Sequence, residues 1–276
     1  MAEKIPPDEV ARLDPFGKRE IPASRKLEEL LAERETREPE LKEFEADLIM
    51  VEQEAWKRVL GVNFTIPPLP TEITQEVKQK LEEEGFTLVF LPSLDLEPHQ
   101  LEKESITQYL RRLTAKYPNW SRNLRKWFWR KVKNGYINFP TLPHSWAAVE
   151  TLPPPNKDEK YQKTAFDRRL GFDNRFNVSW YDVETAIEKA KSKFLLDMGL
   201  GLSNVRFLNV LEWNLLANRE GWSGTDTYEW TNTEHRVSSA IPSRLVAGCS
   251  AIGDTTFLHW LCRGRVGFRI TVEISS

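Results

Sequence analysis

Arg206-Phe207-Leu208-Asn209-Val210-Leu211-Glu212-Trp213, with Ala217 four residues on, reads as a turn running into a helix. Asn209 is a good N-cap residue and Glu212 stands at N3, so the two side chains can satisfy the open N–H groups of the first turn reciprocally. Upstream, Val178-Ser179-Trp180-Tyr181-Asp182 opens another helix that continues through Ala186, Ala190 and Phe194. Asp182 lies where a carboxylate favours the positive end of the helix dipole. Downstream come three short blocks: Thr227-Tyr228-Glu229-Trp230-Thr231, Arg244-Leu245-Val246-Ala247-Gly248-Cys249-Ser250, and the terminal strand Val266-Gly267-Phe268-Arg269-Ile270-Thr271-Val272.

These five blocks, in this order over roughly Asn177 to Ile270, resemble the formylglycine-generating-enzyme branch of the C-type lectin fold. That family reads V-S-W-x-D-A, R-L-P-T-x-A-E-W-E-x-A-A, E-W-T, R-V-x-R-G-G-S-W and G-F-R. The departures are Phe207-Leu208 for Leu-Pro and Ala247-Gly248-Cys249 for Arg-Gly-Gly. The resemblance covers about a third of the chain and leaves residues 1–150 outside it. It implies an α+β fold in which two helices flank a small, largely antiparallel sheet under long loops. It also implies that Trp180, Trp213 and Trp230 are mostly scaffold and that Glu229 and Arg269 form a buried or half-buried pair.

The enzymes of that family use two closely spaced cysteines to hold copper, thiolates being suited to Cu(I). Here Cys249 and Cys262 are 13 apart, and Cys249 replaces a glycine of the pattern. The enzyme's cysteine site is therefore missing. None of the four histidines, His99, His144, His235 and His259, has ligand spacing with another, and the three-residue step from His259 to Cys262 is an isolated coincidence. There is no Gly-rich phosphate loop, no nucleophile elbow and no dense acidic loop of the kind calcium uses. The reading is of a protein without catalysis or cofactor and with no assigned metal site; calcium binding stays open, and a formylglycine-generating-type oxidoreductase stays as a disfavoured alternative because the cysteine pair is absent.

The same lectin branch includes the variable proteins of diversity-generating retroelements, in which adenine-directed mutagenesis of Asn codons near the C-terminus cannot reach Lys, Glu, Gln, Met or Trp. Residues 235–272 contain no Lys, Glu, Gln or Met, where the composition of the whole chain would place about eight. Strands deplete these types by themselves, so an invariant lectin-like binding or structural domain stays open as the alternative. Trp260 is the one exception and would be a fixed residue. Residues 249–264 have no helical or strand period and mix thiols, apolar groups and a carboxylate. The resemblance implies a diversified contact surface made of Cys249, Ala251, Ile252, Asp254, Thr256, Phe257, Leu258, His259, Leu261, Cys262 and Gly264, with Trp222 and Tyr228 as a fixed rim. Phe257, Leu258 and Leu261 would give apolar area, and Asp254 and His259 polar selectivity. The partner would be a macromolecule, a protein by the nature of such surfaces.

The chain has 276 residues, 40% hydrophobic and 29% charged, enough for a sizeable core and incompatible with a collagen-like or wholly disordered polymer. No apolar run is long enough to span a membrane, and the N-terminus has no apolar signal segment, so the expected location is cytoplasmic or on a virion. Charge is unevenly spread. Residues 1–104 sum to −11, 105–149 to +9 with no acidic residue, and 150–276 to zero. Residues 1–60 read as an acidic helical arm, with Ser24 capping one helix and Pro39 separating it from the next. Residues 61–150 read as a mixed α/β region, with a helix over 71–84 stopped by Gly85 and a buried strand over 86–91. Thr151-Leu152-Pro153-Pro154-Pro155-Asn156 opens a linker over 151–176. The lectin-like domain is 177–276, variable over about 235–270. Basic residues interleaved with aromatics over 105–149 raise nucleic-acid binding. No nucleic-acid module surrounds them, so the aromatics are assigned to core and the cations to the acidic arm.

Overall fold

A computed structural model describes residues 23–120, 126–139, 141–156, 158–176, 178–201, 203–222, 227–236, 242–248, 255–256 and 266–274, with side chains from residue 42 onward except at 242–243, 248 and 255–256. The chain forms two compact units, Met1–Ala46 and Asp47–Ser276. Helix α1 (Ala23–Leu60) runs through the boundary and through Pro39, so the expected break there is corrected. An interior proline removes one backbone hydrogen bond, and the Glu-, Leu- and Lys-rich residues on either side are strong helix formers that carry the helix across it. Ser24 falls inside α1, and its side chain is outside the described residues.

In the larger unit, the last turns of α1 bury Trp56, Val59 and Leu60. Helix α2 (Gln75–Glu83) is shorter than expected because Thr74 caps it, accepting from the Val77 N–H. Strand β1 (Thr87–Leu91) follows. Three helices come next: α3 (Pro98–Lys103), α4 (Ile106–Lys116) and α5 (Lys126–Lys133). Tyr117, Trp120, Phe128 and Trp129 of this basic region are buried, as the sequence implied, and Tyr109 joins them; Trp127 is only half-buried, and Tyr136, also assigned to core, is corrected to a surface residue at 41% exposed. Two of the region's cations are paired outside the arm: Arg112 with Glu97 and Glu104, and Lys116 with Asp95 at 2.5 Å and Glu97 at 3.3 Å.

Strand β2 (Ser145–Val149) and helix α6 (Ala165–Leu170) lead into α7 (Trp180–Met198), which Ser179 caps and Gly199 ends in the left-handed conformation. Strand β3 (Asn204–Phe207) precedes α8 (Val210–Arg219), where the Asn209–Glu212 capping box forms as read from the sequence. The remaining strands are β4 (Tyr228–Arg236), β5 (Pro242–Gly248), β6 (Thr255–Thr256), β7 (Val266–Phe268) and β8 (Ile270–Glu273).

The architecture is α+β, and the described residues form two four-stranded sheets, ordered β1-β2-β8-β3 and β6-β5-β4-β7. All neighbours are antiparallel except β4 and β7. The first sheet corrects the expected partition at 151–176. β1 and β2 come from before the proline-rich stretch, β3 and β8 from after it, and β8 lies between β2 and β3. Both β1 and β2 are buried over nearly their whole length, and strands of that kind need neighbours on their edges as well as their faces. The C-terminal strand supplies one. Residues 61–150 and 177–276 thus share one sheet and one core rather than forming separate units.

Candidate functional site

The segment assigned to ligand contact leaves β5 after Gly248 and re-enters at Val266 of β7. β5 and β7 lie on opposite sides of β4, and their ends meet at one residue: Tyr228 is in register with Gly248 on one side and Val266 on the other. Tyr228 is half-buried at the foot of the segment. β6, inside the segment, pairs with β5 through Val246–Thr256 and Ala247–Thr255. This is the backbone position of Thr256. Cys249, Ala251, Ile252, Asp254, Phe257, Leu258, His259, Leu261, Cys262 and Gly264 lie outside the described residues.

Trp222 is not a rim residue. It is only 3% exposed, donates Nε1–H to the Thr151 carbonyl at 3.2 Å and packs against Trp213 at 5.7 Å. The Arg269 guanidinium stands 3.9 Å from its ring centroid. An aromatic that follows a helix end reads as a surface residue in sequence. Here the C-terminal end of α8 turns it inward, over the charge that the core needs to hold.

Beside the strands that bracket the segment lies a buried polar network. Glu229, inward on β4, accepts from Arg269 Nε and Nη2, each at 2.8 Å, from Trp213 Nε1 at 2.5 Å and from the Tyr161 hydroxyl at 2.6 Å. The expected Glu229–Arg269 pair is thus present, and both side chains are inaccessible to solvent. Arg269 sits between β7 and β8 and donates to the Glu150 and Leu152 carbonyls, so a single residue ties the two sheets together. Burial alone would raise the Glu229 carboxyl, but the Arg269 charge and the donated hydrogen bonds hold it below the usual carboxylate range. Burial and the Glu229 charge push the Tyr161 phenol well above its ordinary value.

A second cluster continues the first. Arg175 forks onto Glu150, donates to Asp167 at 2.9 Å and reaches the Phe268 carbonyl at 3.2 Å. Glu150 in turn accepts from the Ile270 N–H at 3.0 Å. Tyr161 presses its ring on Gly267, where an added Cβ would collide with it. These groups clamp the strand into which the segment returns. Tyr161, Glu150, Arg175 and Asp167 were missed in the sequence because their partners are up to 120 positions away and no local spacing marks them.

A polar cleft of about 680 Å³ opens at the other end of the β4–β5 hairpin, lined in part by Arg206, Glu212, Asn232, Arg244 and Glu273. Its charges are matched within the chain: Arg206 with Glu212 at 2.7 Å and Glu273 at 3.0 Å, and Arg244 with Glu234 at 3.2 Å. Among the described residues, no three His, Cys, Asp or Glu side chains gather as a metal site, and no helix is long and apolar enough to cross a membrane. A scan of protein-family models, a search of curated proteins and a search of solved structures each found no match.

Proposed function

We propose that this chain is a non-catalytic binding protein of the C-type lectin type, whose residues 249–264 form a ligand surface diversified by a retroelement. The observation that carries the reading is the joining of two features. A 38-residue stretch, 235–272, lacks Lys, Glu, Gln and Met altogether. The strands that bracket its irregular part are anchored by the Glu229–Arg269–Tyr161 and Arg175–Glu150–Asp167 groups. A surface that must accept many side chains needs a framework whose stability comes from residues outside that surface, and these groups meet the requirement. The lectin-type fold is supported by the two capped helices α7 and α8 and the small, nearly all-antiparallel sheets beside them.

Binding on such a surface is recognition by a few apolar anchors and adaptable polar groups, as on antibody paratopes. Tyr228, at the foot of the segment, is the fixed residue positioned to contribute. The test is to read the DNA around the coding region. The expected finding is a near-identical non-coding copy of the stretch encoding residues 235–272, with adenines at the variable codons, beside a reverse-transcriptase gene. A locus with neither would overturn diversification and leave an invariant binding module.

A further inference from the structure

Two exposed helix faces in the larger unit complement each other in charge. On α1, Asp47, Met50, Val51 and Glu54 fall at i, i+3, i+4 and i+7, so they share one face, and all four are exposed. Met50 and Val51 are each 56% exposed and adjacent, an apolar spot between two carboxylates. The opposite face of α1 is anchored firmly: Trp56 donates to the Phe90 carbonyl at 2.7 Å, and Glu52 accepts from the Phe90 N–H and pairs with Arg219. On α5, Lys126, Arg130 and Lys133 form a cationic ridge at i, i+4 and i+7, all exposed, opposite buried Phe128, Trp129 and Val132. Arg236 and Tyr136, the latter 41% exposed, extend that ridge where the Arg236 N–H donates to the Tyr136 carbonyl. No acidic residue occurs anywhere in 105–149 to neutralise it locally.

We propose that the chain self-associates through these faces, the Asp47–Met50–Val51–Glu54 face of one copy seating on the Lys126–Arg130–Lys133 ridge of a second. Both faces belong to the same compact unit and both are open to solvent, so neither covers the other within a chain. Their complementarity is satisfied between copies. A two-fold axis uses each contact twice and closes the assembly as a dimer. A single-stranded nucleic acid is the less suitable occupant, because such binding stacks successive bases on several exposed aromatics, whereas here Tyr136 is exposed but Tyr109, Tyr117, Trp120, Phe128 and Trp129 are buried. The proposal is independent of the ligand-binding reading, which concerns the far C-terminal segment.

Light scattering on the full chain after size-exclusion, at about 0.05 M and about 0.5 M salt, gives the first test, since screening separates exposed charges at the higher value. A dimer that dissociates with salt is expected, and a monomer at both salts overturns the proposal. Charge reversal supplies the second test. Lys126→Glu/Arg130→Glu/Lys133→Glu and, separately, Asp47→Lys/Glu54→Lys should each weaken self-association at least about tenfold. Mixed in equal amounts, the two variants should form a one-to-one dimer, because each contact then joins opposite charges. Circular dichroism and melting of each variant confirm that it is folded. Folded variants that dimerise like the wild type, or that fail to associate when mixed, refute the assignment. So does an oligonucleotide that binds the ridge of a chain that stays monomeric.

Discussion

Replacing Glu229 with Gln tests the buried network at its centre. Glu229 is wholly buried and accepts four hydrogen bonds, two of them from the guanidinium of Arg269, which is 1% exposed. The glutamine keeps the volume but removes the counter-charge, and its NH2 group faces donors where an acceptor is required. Arg269 is left as a buried cation without a carboxylate, a change that costs about 3–5 kcal/mol. A domain of this size has a total stability of about 5–15 kcal/mol, so the loss is a large fraction of the whole. At about 2–4 °C per kcal/mol for this length, the melting temperature should fall by about 6–20 °C. Calorimetry and urea unfolding of Glu229→Gln, Arg269→Met and the double variant form the assay. The double variant should lose less than the sum of the singles by at least about 1 kcal/mol, since each single strands the other charge. A single-variant loss below about 1 kcal/mol, or strict additivity, would refute the claim that this pair holds the two sheets together.

Three further outcomes follow from the same geometry. Gly267→Ala should cost about 1–3 kcal/mol, because its methyl meets the Tyr161 ring, and adding Tyr161→Ala should produce less than the summed loss in thermal denaturation. The lowered Glu229 carboxyl contributes stability that is complete above its ordinary value of 4.5 and lost as pH falls through the lowered folded value, whereas the raised Tyr161 phenol contributes stability that declines once pH passes its ordinary value of 10. Melting curves from pH 3 upward should therefore show an acid limb below about 4.5 that is shallower in Glu229→Gln. Phe257→Ala, in the segment assigned to ligand contact, should leave the melting temperature within about 2 °C of the wild type; a loss of about 3–5 kcal/mol would make Phe257 core and remove it from the binding surface.

Local chemistry was legible along the chain wherever its cause lay within a few residues. The Asn209–Glu212 capping box, the Ser179 start of α7, the strand at Thr87–Leu91 and the burial of Tyr117, Trp120, Phe128 and Trp129 all depend on side chains interacting with near neighbours or on apolar spacing. The Glu229–Arg269 pair was the one long-range feature anticipated, and it came from the resemblance rather than from spacing. Trp222 was misplaced because exposure is a property of what arrives from elsewhere, here Trp213 and Arg269. The proline-rich stretch after Thr151 looked like a boundary because proline excludes regular pairing locally, yet it carries no information about the strands on either side of it.

By itself, then, the amino-acid sequence determined the mixed α+β class, the helix starts, the uneven charge and the compositional gap over residues 235–272. Only the tertiary structure decided that the C-terminal strand β8 inserts between β2 and β3, that one sheet spans both halves of the chain, and that Tyr161, Glu150, Arg175 and Asp167 brace the return of the irregular segment. The physical reason is that strand partners and buried ion pairs are selected by global burial, in which every edge and every charge must find a complement wherever the chain can bring one.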